Sequence, residues 1–236
     1  MKIALLGYGK MGKVIERMAL ERGHEIVLRK SSSDSFEGLE YADVAIEFSV
    51  PDAAVTNISE SLTKGIPVVS GTTGWLDDYH KMTRLCEEKK TAFIYGSNFS
   101  LGVNLFFELN DYLAKMMSKF PEYKVEIEEI HHTQKLDAPS GTAISLANSI
   151  INYTDYNNWT LDNPQADELK IDAKRIDNVP GTHSVFYASA VDTIEIKHTA
   201  HNREGFALGS VIAAEWLVGK KGVFTMKDVL NLNTTQ

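Results

Sequence analysis

A short apolar run, Lys2 to Leu6, leads straight into Gly7-Tyr8-Gly9-Lys10-Met11-Gly12 and then into the helical pattern KVIERMALERG, closed by Gly23. No other stretch restricts the fold so tightly. A continuously apolar strand belongs in a parallel sheet covered on both faces. A G-x-G-x-x-G turn between such a strand and a helix is the arrangement that seats a dinucleotide pyrophosphate at a helix N-terminus. Gly7 then makes the tight turn, Gly9 lets backbone approach the pyrophosphate, and Gly12 lets helix and strand pack closely. Tyr8, Lys10 and Met11 share the turn and are candidate contacts with it. The alternative is a glycine turn that binds nothing.

The strand–helix alternation continues. EIVLRK (25–30) reads as a second strand, and at its end, where an NAD-specific site usually carries Asp or Glu for the ribose 2′-OH, stand Arg29 and Lys30 followed by three serines. Basic groups and hydroxyls suit a 2′-phosphate, which favours NADPH over NADH; the alternative is that both side chains point into solvent. DVAIEF (43–48) is a third strand, and Pro51 opens a helix that Gly65 ends. Ile66 to Ser70 leads into Gly71-Thr72-Thr73-Gly74, and Thr91 to Tyr95 leads into Gly96-Ser97-Asn98-Phe99, with a charged amphipathic helix (77–90) between them. Loops at the carboxyl ends of such strands gather on the cofactor's edge. Gly71, Thr72 and Thr73 are therefore candidates for the nicotinamide side, or form a plain polar turn.

Beyond residue 102 the pattern changes. A long helix (103–117) ends before Pro121, and YKVEIEEIH (123–131) alternates as a strand with one wet face does. Residues 152–170 read as a loop or short helix, and 169–176, 183–188 and 192–199 as strands. A strongly apolar helix from about 204 to 218 is expected to return to the first half. The expected fold class is α/β: a Rossmann-type dinucleotide-binding domain (1–102 plus 204–236) and an α+β domain (103–203) with an open mixed or antiparallel sheet.

The densest chemistry lies in EEIHHTQKLDAPSGTAISL, residues 128 to 146. His131 and His132 close a strand, Lys135 follows, and Ser140-Gly141-Thr142 opens an apolar helix. Free N–H groups at a helix start make an anion site. Histidine and lysine beside it can move protons near neutral pH. Adjacent strand residues point to opposite faces, so the two histidines make a poor metal pair and only one can face a cofactor. Each residue alone has a bland reading, as a core histidine, a solvated lysine or an N-cap; the conjunction is what points to a site that grips a carboxylate and protonates its neighbour.

Composition narrows the partners. The 236-residue chain is 43% hydrophobic and 24% charged, as soluble globular proteins are. A net charge of −8 argues against nucleic acid and membrane surfaces, both anionic. The single cysteine, Cys86, excludes an intramolecular disulfide or a multi-cysteine metal site. With a strand at residue 2 and no long apolar run, a cytoplasmic location is expected.

The string EEIHHTQKLDAPSGTA closely resembles the E-x-H-H-x-x-K-x-D-A-P-S-G-T-A signature of the 4-hydroxy-tetrahydrodipicolinate (dihydrodipicolinate) reductase family. GYGKMG, GTTG, SNFS, HNREGF and FTMKDVL extend the resemblance over nearly the whole chain. The resemblance implies an NAD(P)H-dependent oxidoreductase of the diaminopimelate route to lysine. Hydride would pass to C4 of a cyclic unsaturated dicarboxylate, with loss of water. His131 resembles the family's proton donor and Lys135 its second. His132, Ser140, Gly141 and Thr142 resemble the carboxylate pocket. Gly7 to Gly12, Gly71 to Thr73 and Gly96 to Phe99 look like the cofactor contacts. Arg203 aligns with a basic residue near the domain junction. Members are commonly homotetramers joined through the second domain's sheets. Two departures stand out: the glycine turn is one residue shorter than in many relatives, and residues 150–183 are also fewer. Two rivals remain at this level. One is a non-catalytic dinucleotide sensor, which would not need the His-His-Lys cluster. The other is a related two-domain dehydrogenase, whose semialdehyde-acting kind uses a cysteine nucleophile.

Overall fold

In a computed structural model, residues 1–202 and 204–232 are described. Arg203 lies outside the described residues. The elements run β1 (Lys2–Leu6), α1 (Lys10–Glu21), β2 (Glu25–Lys30), β3 (Val44–Glu47), α2 (Pro51–Thr63), β4 (Val68–Ser70), α3 (Tyr79–Glu88) and β5 (Ala92–Tyr95). After these come α4 (Leu101–Met117), β6 (Lys124–His131), α5 (Gly141–Ile151), β7 (Asn158–Thr160), β8 (Glu168–Arg175), β9 (Gly181–Ala188) and β10 (Thr193–Ala200). The chain ends with α6 (Glu204–Leu217), β11 (Gly222–Phe224) and α7 (Met226–Val229).

The chain divides into two compact units, one of Met1–Leu101 with the chain from Glu204 onward, the other of the residues between. The first carries a six-stranded sheet in the order β11-β5-β4-β3-β1-β2, parallel throughout. Its strands read as unbroken apolar runs because both faces are covered. Ile3 and Leu5 pack into a core completed by Ile15 of α1 and Val211, Ala214 and Leu217 of α6. Ala4 and Leu6 face the opposite core with Ile58 and Leu62 of α2 and Met82 of α3.

The second unit holds a five-stranded sheet in the order β10-β9-β6-β8-β7. β6 lies at its centre, antiparallel to β9 and parallel to β8. The sheet is thus mixed, because the chain crosses from β6 through α5 before returning as β7 and β8. A strand, β7, occupies part of the 152–170 stretch expected as loop or short helix. The core lies on one face, where Phe106, Leu113 and Met117 of α4 and Leu146, Ala147 and Ile150 of α5 cover Val125, Ile127, Leu169, Ile171, Val185 and Tyr187. On the other face β6 and β8 carry charges: Lys170 pairs with Glu126 at 3.3 Å, and Lys174 pairs with Asp172 at 3.2 Å and with Glu128. Ile127 is 1% exposed and central in this core. Ile127→Ala is expected to cost about 2–5 kcal/mol of stability, read as a lower urea midpoint.

Candidate active site

β6 alternates buried and exposed positions, so Val125, Ile127, Glu129 and His131 share its inner face. The first two are core. The second two continue the same face with ionisable groups, and Glu129 is fully buried. Cross-strand register completes the cluster: His183 of β9 lies opposite Glu129, and Arg175 of β8 lies opposite His131.

Glu129 is the hub. Its Oε1 accepts from the Ser140 backbone N–H at 3.1 Å and from Arg175 Nη2 at 3.2 Å. Its Oε2 lies 3.2 Å from His131 Nδ1 and 3.7 Å from His183 Nε2. The His131 contact is a charge contact at hydrogen-bonding range, not yet an aligned hydrogen bond. Burial alone would push the Glu129 carboxyl up, but His131, Ser140 and the charge nearby outweigh it and hold it down at about 2. His183 goes the other way: burial, helped by the neighbouring His131, lowers it to about 4. The two rings meet edge to face with centroids 5.0 Å apart.

Ser140 caps α5, accepting from Ala143 N at 3.2 Å, and its hydroxyl also meets His183 Nε2 at 3.0 Å. The N–H groups of Gly141 and Thr142 precede the first intrahelical bonds. No acidic side chain stands in that turn, and space beside Gly141 is open. Arg175 also fixes the approach to the helix, donating to the carbonyls of Asp137 at 2.6 Å and Lys135 at 3.3 Å. Lys135 Nζ is held by Asp137 at 2.7 Å. His132 departs from this group, as alternation requires. It opens on a cavity of about 430 Å³ with Thr133, Gln134, Asp177, Pro180 and His201. Ser140, Gly141 and Thr142 do not line it.

In the first unit, Gly7 has φ +107, and a Cβ there would meet the Phe48 carbonyl oxygen at 2.1 Å. Gly9, the N-cap of α1, has nothing within 4 Å of where its Cβ would be and no side-chain cap. An open approach to uncapped helix N–H groups fits a pyrophosphate. Tyr8 and Lys10 flank Gly9, Tyr8 half-buried and Lys10 exposed; Met11 packs toward the core and Gly12 is buried. Tyr8 hydroxyl donates to Glu16, and Arg29 donates to the same carboxylate through Nε at 2.7 Å and through Nη2. Lys30 is tucked in, donating to the Ser31 carbonyl at 3.0 Å with its ammonium 4.7 Å from the Phe36 ring centre. Neither cation simply faces solvent.

Thr72 spends its hydroxyl on buried Glu47, donating at 2.9 Å and accepting from Ser49 N at 2.8 Å, while Thr73 is exposed. Ser97 is exposed, Asn98 Oδ1 accepts from Ser100 N at 2.9 Å, and the Phe99 ring is core, tilted against Phe48. From Gly71 and from Gly96 to Phe99, backbone is therefore what the loops offer most directly. Sequence reasoning did not single out Glu47, Glu129, Arg175 or His183. For Glu129 a signal existed: it stands two residues before His131, on the same face.

Cys86 is fully buried on α3, donates to the Thr91 carbonyl at 3.3 Å, and burial pushes its thiol up to about 11. Such a thiol is no nucleophile. Among the described residues, Glu129, His131 and His183 each bring one ligand-capable atom within 4.8 Å of the others. The Arg175 guanidinium on the same carboxylate opposes a divalent cation there.

A parallel nucleotide-type sheet with an open glycine turn, joined in one chain to a buried His–carboxylate cluster at a helix start, defines an NAD(P)H-dependent oxidoreductase. Comparison with known proteins gives the family. Residues 1–99 match the family model of the dihydrodipicolinate reductase N-terminus, and 102–230 that of its C-terminus. The 4-hydroxy-tetrahydrodipicolinate reductase of Christiangramia forsetii is 56% identical over 98% of both chains. That of Archaeoglobus fulgidus is 35% identical over 98% of this chain and 100% of its own. A dipicolinate-bound dihydrodipicolinate reductase from Paenisporosarcina sp. TG-14 shares the fold with a TM-score of 0.77 at 23% identity, over 95% of this chain and 97% of its own. The chain belongs to the dihydrodipicolinate reductase family.

The cluster sets a pH dependence of stability. His183 falls from its ordinary 6.5 to about 4, so between these values the unfolded chain takes up a proton that the native one refuses. Its contribution is complete above about pH 6.5 and declines as pH falls toward 4. Glu129, lowered from 4.5 to about 2, adds a loss below that window. Thermal unfolding from pH 7 to 4 should show Tm dropping, and His183→Gln should flatten the drop.

Proposed function

We propose that the chain reduces 4-hydroxy-tetrahydrodipicolinate, by way of dihydrodipicolinate, to tetrahydrodipicolinate on the diaminopimelate route to lysine. Each turnover consumes one NAD(P)H and one proton and releases NAD(P)⁺ and water. The observation that carries this reading at the site is the double contact of Glu129, with His131 Nδ1 on one side and the Ser140 N–H on the other. It ties a proton-handling ring to the start of an anion-binding helix.

When bound, the nicotinamide supplies the hydride. His131 gives the ring proton, with Lys135 as the second donor. The N–H groups of Gly141 and Thr142 and the Thr142 hydroxyl hold a carboxylate, with His132 as a further partner. Ser140 builds the helix start, since its hydroxyl is already shared by Ala143 N and His183. Lys135 reaches substrate by exchanging Asp137 for a substrate carboxylate, which is favourable because Asp137 is largely exposed and easily rehydrated. The turn from Gly7 to Gly12 seats the pyrophosphate.

We infer NADPH as the favoured cofactor, with NADH accepted. Arg29 reaches Glu16 through Nε and Nη2 while its side chain stays 43% exposed, which lets the guanidinium also meet a 2′-phosphate beside Ser31 to Ser33. Lys30, drawn over Phe36, contributes less. The family resemblance supports a cytoplasmic homotetramer, which light scattering of the purified protein would reveal.

With enzymatically generated substrate, NADPH should be oxidised only when the cyclic compound is supplied; binding without turnover would mean a sensor. His131→Ala should lower kcat by about 10²–10⁴-fold while the KM for NADPH stays within a few-fold. Near-native turnover would remove His131 from the chemistry. Arg29→Ala should lower kcat/KM for NADPH about tenfold, in line with one lost charged contact, and leave NADH almost unaffected. An equal effect on both would place the 2′-phosphate elsewhere.

A further inference from the structure

We propose that Glu129 is a positioning residue for proton transfer: a pinned, buried carboxylate that holds the proton on His131 Nδ1, so that the ring exchanges protons through Nε2. The inference rests on the reading of His131 as the proton donor.

The two oxygens of Glu129 have divided roles. Oε1 is saturated by donors from two other elements, the Ser140 N–H at 3.1 Å and Arg175 Nη2 at 3.2 Å. Arg175 is itself fixed by the carbonyls of Lys135, Asp137 and Lys174. The carboxylate therefore cannot rotate without breaking several bonds, and Oε2 stays turned to His131 Nδ1 at 3.2 Å. An ionised carboxylate only accepts, so it favours Nδ1–H. The low value of Glu129, about 2, keeps it ionised at any working pH.

The other end of the ring packs beside Gly181. A Cβ at Gly181 would lie 3.1 Å from His131 Nε2 and 3.4 Å from Cδ2, so glycine at this position spares the exchanging nitrogen a crowding methyl. His183, held neutral, packs edge-on without adding a competing charge. The charged and titratable groups facing Glu129 are thus His131 on its own strand, His183 on β9, Arg175 on β8, and Lys135 and Asp137 on the loop before α5. One negative charge is set against one fixed positive charge, and the carboxylate remains able to stabilise a second when His131 is protonated. On donation the imidazolium loses its Nε2 proton to the substrate ring and remains as the neutral Nδ1–H form. An ion pair serving the fold alone would need Arg175 and Oε1, but not an Oε2 aimed at the histidine.

The test uses full-length protein. Glu129→Gln keeps shape and removes the charge; kcat should fall about 10–10³-fold, the KM for NADPH should hold, and the alkaline limb of the kcat–pH profile should move to lower pH. Glu129→Asp should recover part of the loss. Native kcat and an unmoved profile in Glu129→Gln would overturn the proposal. Should that variant fold poorly, ¹⁵N NMR of the native protein decides, with His131 assigned by its absence in His131→Asn. Neutral His131 should show a protonated Nδ1 and a bare Nε2, and the opposite tautomer would overturn the proposal. Loss of activity on exhaustive EDTA dialysis with recovery on Zn²⁺ would also overturn it, by making Glu129, His131 and His183 a metal site. If His131→Ala retains native turnover, the functional reading itself has failed; if His131→Ala is inactive and Glu129→Gln native, only this inference has.

Discussion

A carboxylate taken out of water must be paired or lose its charge, and Glu129 meets that demand by recruiting three separate pieces of chain, with two donors on Oε1 and a charge contact at Oε2. Arg175 comes from β8, the Ser140 N–H from the start of α5, and His131 from its own strand. Each partner has a further duty: Arg175 pins the loop from Lys135 to Asp137, and Ser140 caps α5. The buried charge therefore organises the loop, the helix start and the histidine at once. Removing any one partner leaves the others facing an incompletely paired charge in a dry place.

Much of the fold was legible because its signals are local. Lys2–Leu6 with Gly7, Gly9 and Gly12 marked the first βα unit, and repeated apolar runs marked a parallel sheet covered on both faces. The alternation in β6 placed His131 and His132 on opposite sides, and His132 lines a cavity that His131 does not. The same alternation suggested an antiparallel strand with a wet face, whereas β6 is central in a mixed sheet, parallel to β8 and antiparallel to β9. Alternation reports which faces are buried, not which way the neighbours run. One face of β6 is core, and the other carries Glu126 and Glu128 paired with lysines of β8.

What sequence could not supply was register. Nothing near Glu129 announces that His183, more than fifty positions on, pairs opposite it, or that Arg175 comes level with His131. Arg29 and Lys30 were legible as a basic pair, yet Glu16 and Phe36 decide what they do. Helix α1 carries Glu16 back beside the strand end, so Arg29 is a shared cation and not a free one. Glu47 is the same lesson in the first unit: four donors, the Ser49 N–H and the hydroxyls of Ser49, Ser70 and Thr72, converge on its carboxylate, and only the folded loops bring them there.

The overall charge of −8 opposes a dianionic substrate at long range. Charges separated by more than a Debye length of about 8–10 Å are largely screened, so the local set decides. Around the start of α5 that set comprises Arg175, Lys135, the first N–H groups of the helix and the His131 ring, against Glu129 and Asp137. Glu129 is already paired with Arg175, and Asp137 faces solvent, where under the proposed function a substrate carboxylate would displace it from Lys135. Under the proposed function, protonation of His131 would then add positive charge to the same set. Under the proposed function the site would then be most attractive to a dicarboxylate in the protonation state that can donate, which would couple substrate binding to readiness for proton transfer.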